Sequence, residues 1–441
     1  MLGISEAEFI QATSGTFKLG IEFRDWGKLG ERYLHPFGTY GWDLQGTDFH
    51  QFWKRAQSIG EPHPLDAYSL NCAAAYAGKF ALPDGNPRSP LSKLGYAYHF
   101  DAMLYARFLR THAEKRGGRR IEGKVIGIDQ HPETGFVTSV TLVDGETLEA
   151  ELFVDCSGFR GLLIEGALHA GYDDWSSLLP MDRAVAVPTE STEPPKPYTI
   201  ATAKEAGWTW RIPLQHRTGN GHVYSSRYME EEKATDILLS SVEGAPLADP
   251  RHLKFVTGIR RKFWDKNVIA IGLSGGFLEP LESTSIHMIQ SAVAKLLALF
   301  PDRSWSPVDR DEYNRLLTVS FTHIRDFIIL HYIATARNDT EFWRDRHNLE
   351  LPETLVRKMA LIEGSGRFFR YDDELFSVTS WLAVMQGQGR GPAGYTATAD
   401  AISAQNLLAS LQDMRMVIER TVASMPTHDA FLARLQQGNA A

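Results

Sequence analysis

The 441-residue chain has a formal net charge of -8, with 43% hydrophobic and 23% charged residues. Its acidic balance argues against nucleic acid as a partner, and its two cysteines, Cys72 and Cys156, are too few for a disulfide framework and lack a zinc-ligand spacing. No apolar run reaches membrane-spanning length, and the first residues lack the pattern of a signal peptide. We therefore expect a cytoplasmic protein with a large core, no metal and no membrane partner.

Capping signals and periodicity predict the elements of the first 118 residues. Ser5-x-x-Glu8 is a capping box that opens a short helix, and the alternating run Phe17–Phe23 is typical of a strand. His35–Gly46 is rich in Gly, Tyr and Phe and predicts a loop. Two helices are predicted after these elements, over Phe49–Ser58 and Ala97–Lys115.

An antiparallel meander is predicted next, with strands over Ile121–Asp129, Phe136–Leu142 and Thr147–Val154. Strands and turns alternate over residues 181–275, and from about Ser283 onward the pattern is helical. This order predicts an α/β chain of mixed α+β type. We expect a first domain at residues 1–290 and a helical C-terminal domain at residues 291–441.

The sequence Glu-Pro-Leu-Glu-Ser-Thr at Glu279–Thr284 follows the apolar strand Asn267–Ile271 and precedes the helical run His287–Phe300. It places two carboxylates, a proline bend and two hydroxyls where a strand leads into a helix, which is where open α/β sheets bind ligands. Glu282 has an ordinary alternative role as a first-turn acid that stabilises the helix. A helix start needs only one acid, so the pair of glutamates favours a site.

Three shorter motifs accompany this segment. The amide groups of Ser283–Ser285 precede a helix and lack helical acceptors, which favours an anion there. Trp208 and Trp210 alternate in Gly207–Pro213, so both lie on one face of a strand, which most often indicates sheet packing. The run Gly272–Gly276 follows an apolar strand and allows a ligand to approach the backbone closely.

Together with Phe17-Lys18, these motifs resemble those of the flavin-dependent tryptophan halogenases, and the resemblance covers nearly the whole chain. It implies a flavin monooxygenase-like FAD domain remnant with an inserted antiparallel sheet, followed by a helical C-terminal layer. It also implies an enzyme that uses reduced FAD, dioxygen and a halide ion to form hypohalous acid, which halogenates an indole or tryptophan-like ring at Lys18. A separate flavin reductase and a homodimer are the expected partners.

The resemblance assigns roles residue by residue. Lys18 and Glu282 match the catalytic pair. Alone, Lys18 would be an ordinary surface lysine, but its apolar neighbours predict that one face of its strand is buried. Thr284 and Ser285 match the halide site. The other assignments are Val125, Leu273 and Ile286 to the flavin, His35, Phe37 and Trp381 to the substrate ring, Trp208, Trp210 and Pro213 to the class motif, and Glu279 to a structural role.

Two departures from the family bear on specificity. The family usually has Gly at the position of Ser285, so the choice between chloride and bromide stays open. The segment that matches the family's amino-acid clamp, Phe369–Gln388, is short, with Tyr371 and Trp381 as its aromatics and Glu374 as its acid. Without a clamp, no ion pairs offset the free-energy cost of removing a zwitterion from water. We therefore expect a neutral or larger indole-type substrate in preference to free tryptophan.

The start of the chain also departs from the family, which carries a Gly-x-Gly-x-x-Gly turn that binds the FAD pyrophosphate. Here no such turn follows a predicted strand, because the glycine run Gly387–Gly394 lies between predicted helices. Met1–Ile4 resembles the middle of the family sequence. The sequence thus predicts a fragment, and two alternatives stay open: a flavin-dependent aromatic hydroxylase and an inactive truncated chain.

Overall fold

The computed structural model describes residues 3–372 and 374–438. Met1 and Leu2 of the segment Met1–Ile4, and Asp373 of the segment Phe369–Gln388, lie outside the described residues. The strands are β1 Thr16–Lys18, β2 Gly20–Arg24, β3 Arg32–Pro36, β4 Ala97–His99, β5 Val125–Gln130, β6 Val137–Leu142, β7 Thr147–Glu149, β8 Phe153–Asp155, β9 Tyr172–Asp174, β10 Arg183–Thr189, β11 Thr199–Lys204, β12 Gly207–Pro213, β13 Thr218–Tyr224, β14 Arg251–Lys254, β15 Gly258–Arg260, β16 Trp264–Asp265, β17 Val268–Ala270 and β18 Gly276–Phe277. The α-helices are α1 Glu6–Thr13, α2 Phe49–Ser58, α3 Leu70–Tyr76, α4 Ala102–Glu114, α5 Glu231–Ser241, α6 Ser285–Ala298, α7 Pro307–Ile333, α8 Glu341–His347, α9 Glu353–Ser365, α10 Val378–Gly387, α11 Ala404–Ser424 and α12 His428–Gln436.

The largest sheet has seven strands in the order β14-β10-β13-β12-β11-β2-β3. Neighbouring strands run antiparallel except β11 and β2, which run parallel. In the β2–β3 pair, Ile21 lies opposite His35 and Gly20 opposite Pro36. This register fixes where His35 lies relative to the chain segment that carries Lys18.

A break at Leu19 separates β1 from β2. On its N-terminal side, β1 pairs with β4, and Lys18 lies opposite Ala97. At the break, the Leu19 amide donates to the Pro197 carbonyl at 2.7 Å, and the Phe37 amide donates to the Leu19 carbonyl at 3.0 Å. These two hydrogen bonds satisfy the Leu19 amide and carbonyl, although Leu19 belongs to neither sheet. The chain can therefore pass from the small sheet to the large one. Lys18 lies at this junction.

The Glu279–Thr284 segment follows a second small sheet, in which β17 pairs parallel with β8 and antiparallel with β16. The chain then passes through two short 3-10 turns, Gly272–Ser274 and Pro280–Glu282, before α6 begins. Ser283 adopts the left-handed conformation, with φ of 57°. This bend turns the chain from the sheet into the helix.

A helical layer covers the large sheet. The 27-residue helix α7 begins with Pro307, and Ser306 caps it by accepting a hydrogen bond from the Asp309 amide. Its C-terminal half is buried, and one hydrophobic core joins residues from Ile10 to Leu435. The helices of residues 3–372 and 374–438 include none that is long and apolar enough to cross a membrane.

The predicted α/β fold of mixed α+β type is confirmed, as are the helix over Phe49–Ser58 and the capping box, where Ser5 accepts from the Glu8 amide at 3.2 Å. The predicted domain boundary at residue 290 falls inside α6 and stays a prediction. The predicted loop over His35–Gly46 is wrong at its start, because His35 belongs to β3. The glycine and aromatic content predicts a loop there, because the pairing of His35 with β2 is not visible in the local sequence.

Three other boundaries are also corrected. The strand predicted over Phe17–Phe23 breaks at Leu19, as described above. The helix predicted over Ala97–Lys115 begins only at Ala102, because Ala97–His99 pairs with β1 and Asp101 caps the helix by accepting from the following amides. The run Thr147–Val154 forms two strands, of which the second pairs with β17 instead of continuing the meander.

A substitution at Gly20 tests whether the β2–β3 register depends on close backbone approach. A Cβ at Gly20 would lie 2.4 Å from the His35 carbonyl oxygen, whereas one at Gly219 in β13 would meet its nearest atom at 3.4 Å. We expect Gly20→Ala to lower the free energy of unfolding by about 1–3 kcal/mol through overpacking. Chemical denaturation measures this, with Gly219→Ala as the matched control. Equal losses in both variants would contradict the role of the close approach.

Candidate active site

Lys18 is a buried lysine with 3% of its surface exposed. Its Nζ donates a hydrogen bond to Ser283 Oγ at 3.1 Å and lies 5.3 Å from the centre of the Phe37 ring. Burial lowers the pKa of Lys18 to about 8, against the opposing effect of the Glu282 carboxylate. A large part of this lysine is therefore a neutral amine at mildly alkaline pH.

Glu282 lies at the end of the turn Pro280–Glu282, with its carboxylate between two histidines. His35 Nδ1 is 3.0 Å from each of its oxygens, and His331 Nε2 is 2.8 Å from Oε1. Burial alone would raise the pKa of this carboxyl, but the charge and hydrogen bonds of His35 and His331 outweigh burial and lower the pKa to about 2. The carboxylate is thus ionised and held by the histidines, not by the start of α6.

Glu279 has the opposite environment. Its Oε2 accepts hydrogen bonds from Trp208 Nε1 at 2.7 Å and from the Tyr332 hydroxyl at 2.8 Å. Burial raises the pKa of Glu279 to about 7, although these two donors act in the other direction. The two glutamates of one motif therefore differ: Glu282 is anionic, whereas Glu279 joins the large sheet to α7. Trp208 contributes this bond, while its partner Trp210 lies beside it with ring centres 6.0 Å apart.

A cavity of about 270 Å³ opens beside this segment. Its walls are mainly apolar and come from the Gly272–Gly276 run, from α6 and from α7; of the predicted residues, Leu273, Thr284 and Ser285 line it. Ile286 follows in the first turn of α6 but does not line the cavity, and Val125 lies apart in the meander sheet. The start of α6 therefore faces the same space as the glycine run.

The glycines of this cavity keep the floor free of side chains. Gly272 has φ of 76°, and a Cβ at Gly276 would lie 2.7 Å from the Gly258 carbonyl oxygen. An apolar cleft with a bare backbone floor fits one face of a flavin ring. Within residues 3–372 and 374–438, no group of His, Cys, Asp or Glu could hold a metal ion.

Aromatic rings enclose the other side of His35. Its ring lies 6.3 Å from Phe37 in an edge-on arrangement, and Phe327 and Phe376 lie 5.9 and 6.3 Å away. Phe327 and Phe376 stack on each other at 3.8 Å. Trp381 is buried behind them, 5.4 Å from Phe327. His35 and Phe37 thus lie beside Lys18 and Glu282 as predicted, whereas Trp381 stands behind other rings.

Behind Trp381, a buried ion pair joins α9 to the segment between α9 and α10. Both oxygens of Glu374 accept hydrogen bonds from Lys358 Nζ, and this ammonium lies 4.8, 5.2 and 5.0 Å from the rings of Phe368, Tyr371 and Trp381. Glu374, the acid available for a substrate amine in this segment, is therefore already paired. The aromatic cage around it already holds a cation.

Sequence reasoning missed the residues that α7 and its neighbours contribute. Phe327 and His331 lie one helical turn apart on α7, and Gln388 donates hydrogen bonds to the Tyr33 hydroxyl at 3.1 Å and to the His331 carbonyl at 3.2 Å. A four-residue spacing of an aromatic and a histidine is ordinary for a buried helix face. The sequence therefore carried no signal that this face meets Glu282.

Comparisons with known proteins agree with this geometry. Residues 1–404 match the family described as tryptophan halogenase. The 7-chloro-L-tryptophan 6-halogenase KtzR of Kutzneria sp. (strain 744) is 32% identical over 464 residues, which cover 99% of this chain and 89% of that protein. Two solved structures are similar. BrvH, a flavin-dependent halogenase from Brevundimonas sp. BAL3, has a TM-score of 0.96 and 46% sequence identity, and the match covers 98% of this chain and 88% of BrvH. Xcc4156, a flavin-dependent halogenase from Xanthomonas campestris, has a TM-score of 0.94 and 44% sequence identity, and the match covers 98% of this chain and 86% of Xcc4156.

With this fold and these similarities, the protein is a flavin-dependent halogenase. Within that class, the chain belongs to the tryptophan halogenase family.

The lowered pKa of Lys18 predicts how halogenation depends on pH. If the neutral amine of Lys18 carries the halogen, kcat/KM rises as pH increases towards about 8 and levels off above it, because the neutral fraction of a group with a pKa of about 8 follows that course. Steady-state rates from pH 6 to 10 at saturating halide measure it. A kcat/KM that falls over this range would instead indicate that the protonated lysine is the active form and that it donates a hydrogen bond to the oxidant.

Proposed function

We propose that this enzyme halogenates a neutral indole-type ring, with Lys18 delivering the halogen and Glu282 assisting loss of the ring proton. The observation that carries the proposal is the connection through Ser283, which accepts a hydrogen bond from Lys18 and follows Glu282 directly in the chain. Both reactive groups are buried at the same bend. The cavity at the start of α6 opens beside this bend.

The cofactor in this proposal is FAD. Its ring would lie against Leu273 and the glycine floor, with Ile286 nearby and Val125 towards the adenine end, and a halide ion would lie against the amides of Thr284 and Ser285. When bound and reduced, the flavin supplies the oxidising chemistry that, with dioxygen, converts halide into hypohalous acid. A separate reductase would supply the reduced flavin, and a homodimer is part of the proposal.

Lys18 carries the halogen in the next step. Its neutral amine attacks the halogen of hypohalous acid, so that an N–halogen bond forms and water leaves. The ring carbon nearest Lys18 then takes the halogen as a cation equivalent while the N–halogen bond breaks. The proton that the ring gives up to Glu282 restores the second N–H bond of the amine. The lowered pKa of Lys18 makes the neutral amine available for this attack.

Glu282 acts on the cationic ring that results. Its carboxylate is ionised because its pKa lies at about 2, so it stabilises the positive charge that develops. The halogenated ring cation is a strong acid, and even a weak base accepts its proton. His35 and Phe37 hold the ring at the carbon to be substituted, which supplies a large part of the rate through positioning.

The substrate part of the proposal rests on the Lys358–Glu374 pair. A substrate ammonium would need a free carboxylate, but Glu374 already accepts from Lys358 within a cage of three rings. Displacing a buried ion pair leaves one charge without a partner, which is costly. This site therefore favours indole, or a larger neutral relative, over the zwitterion tryptophan.

Substitution of Lys18 tests the proposed chemistry. With reductase, FAD, bromide and indole supplied, we expect Lys18→Ala to lose halogenated product while flavin reoxidation continues. Lys18→Arg should also fail, because a guanidinium group is not deprotonated at working pH. Lys204→Arg is the matched control, since burial also lowers the pKa of Lys204. Halogenation by Lys18→Ala, or oxygenated product without halide, would overturn the assignment in favour of a hydroxylase.

A competition between indole and tryptophan tests the substrate class. We expect kcat/KM for indole to exceed kcat/KM for tryptophan by roughly one to two decades, since one charge-assisted pair is worth about 1.5–3 kcal/mol. The halogen should enter at C3, the most electron-rich carbon of indole. Lys358→Met should raise turnover of tryptamine relative to indole, because Glu374 and its cage would then face the amine. Lys358→Arg, which keeps a cation there, is the control. Preference for tryptophan with benzo-ring substitution would contradict this proposal.

A further inference from the structure

His331 is a fully buried histidine whose two ring nitrogens both face acceptors. Nδ1 lies 2.8 Å from the Phe327 carbonyl oxygen, and Nε2 lies 2.8 Å from Glu282 Oε1. A carbonyl oxygen accepts and cannot donate, so Nδ1 carries a proton. An ionised carboxylate also only accepts, so Nε2 carries a proton as well. A histidine with both nitrogens protonated is an imidazolium cation.

Three other buried histidines of the described residues, His99, His222 and His428, have partners that a neutral ring satisfies. His99 lies between the hydroxyls of Thr16 and Thr199, at 3.0 and 2.9 Å, and a hydroxyl donates or accepts. His428 accepts from the Phe17 amide at 3.1 Å and faces one carbonyl. His222 faces the Ala234 carbonyl at 3.0 Å, and within the described residues its Nε2 has no hydrogen-bond partner. The partners of His331 are therefore different in kind.

The surroundings of His331 suit a cation. The ring of Phe23 lies 4.9 Å away, and those of Phe327 and Trp26 lie at 5.1 and 6.0 Å. Aromatic faces attract a cation, and they exclude water from the pair. The charge therefore has two supports: the carboxylate at one nitrogen and the surrounding rings.

We propose that His331 is a positioning residue that holds a buried imidazolium against Glu282, orienting this carboxylate and cancelling its charge so that Lys18 can remain a neutral amine. The other ionisable groups that act on Glu282 are His35 and Tyr33 from β3 and Lys18 from β1. Tyr332 follows His331 in α7 and donates a hydrogen bond to Glu279.

The reason lies in the balance of charge around Lys18. The Glu282 carboxylate raises the pKa of Lys18, in opposition to burial. A positive charge on His331, held beside the same carboxylate, weakens the electrostatic attraction between Glu282 and the Lys18 ammonium. His35 does not need to supply that charge, because one proton on its Nδ1 satisfies its contact with Glu282. His35 and His331 both keep Glu282 ionised, and His331 is the partner whose two contacts require the positive charge.

The charge on His331 is measured directly by ¹⁵N NMR of the wild-type protein labelled in histidine. We expect both ring nitrogens of His331 to be protonated at pH 8, with its signals assigned by their loss in His331→Gln. His222 serves as the internal control and should show one protonated nitrogen. In Glu282→Gln, His331 should become neutral. A single protonated nitrogen on wild-type His331 would overturn the proposal.

Turnover of His331→Gln tests the effect on Lys18. A glutamine amide can donate to Glu282 but carries no charge, so the rise of kcat/KM with pH should move upward by about one pH unit. This corresponds to about a tenfold loss at pH 7 that is recovered at high pH. His222→Gln, a buried histidine outside the site, should keep the wild-type profile. An unshifted profile for His331→Gln, or an equal loss at every pH, would reduce His331 to a structural role and overturn the proposal.

The role in catalysis rests on the proposed halogenation, whereas the charge state does not. A wild-type protein that makes no halogenated product would refute the proposed function, and the NMR spectrum would still decide the charge on His331. A neutral His331 in a halogenating protein would refute only this inference.

Discussion

The buried carboxylate of Glu282 constrains how the large sheet and the helical layer pack together. A carboxylate with 1% of its side chain exposed is tolerated only where donors replace the lost water, and two histidines from distant parts of the chain provide them. This requirement brings β3, which carries His35, and α7, which carries His331, to the same bend. Removal of either donor would leave part of a buried charge unpaired. The helical layer and the large sheet are therefore joined at the proposed reactive centre.

Buried charges occur in pairs elsewhere around the site, and each pair has a separate consequence. Lys358 and Glu374 satisfy each other inside an aromatic cage, so the Glu374 carboxylate already has a cationic partner. Glu279 instead has no cationic partner within the described residues, and burial moves its pKa to about 7. Trp208 and Tyr332 bind it, so the tryptophan motif links the sheet to α7. Two glutamates three residues apart thus have different ionisation because different elements pack on them.

The sequence predicted most of what depends on local chemistry. The capping box, the helix over Phe49–Ser58, the first two strands of the meander and the largely helical C-terminal part followed from periodicity and turn residues. The Glu279–Thr284 motif identified the bend that carries the site, and the resemblance to known halogenases placed Lys18, Glu282, His35 and Phe37 together. The predictions of the capping box, helices and strands succeeded because their signal lies in residues that are neighbours in the chain.

Tertiary structure decided what depends on distant partners. Leu19 breaks a strand because its amide and carbonyl find acceptors and donors far along the chain, and no local pattern shows that. The fixed partners of Glu282, Glu279 and Glu374 likewise come from β3, α7, β12 and α9, so the ionisation of each acid was undetermined until those elements packed. Residue identity determined which groups could react. Burial and long-range hydrogen bonds determined their charge, because a pKa depends on what surrounds a group in space and not on its neighbours in sequence.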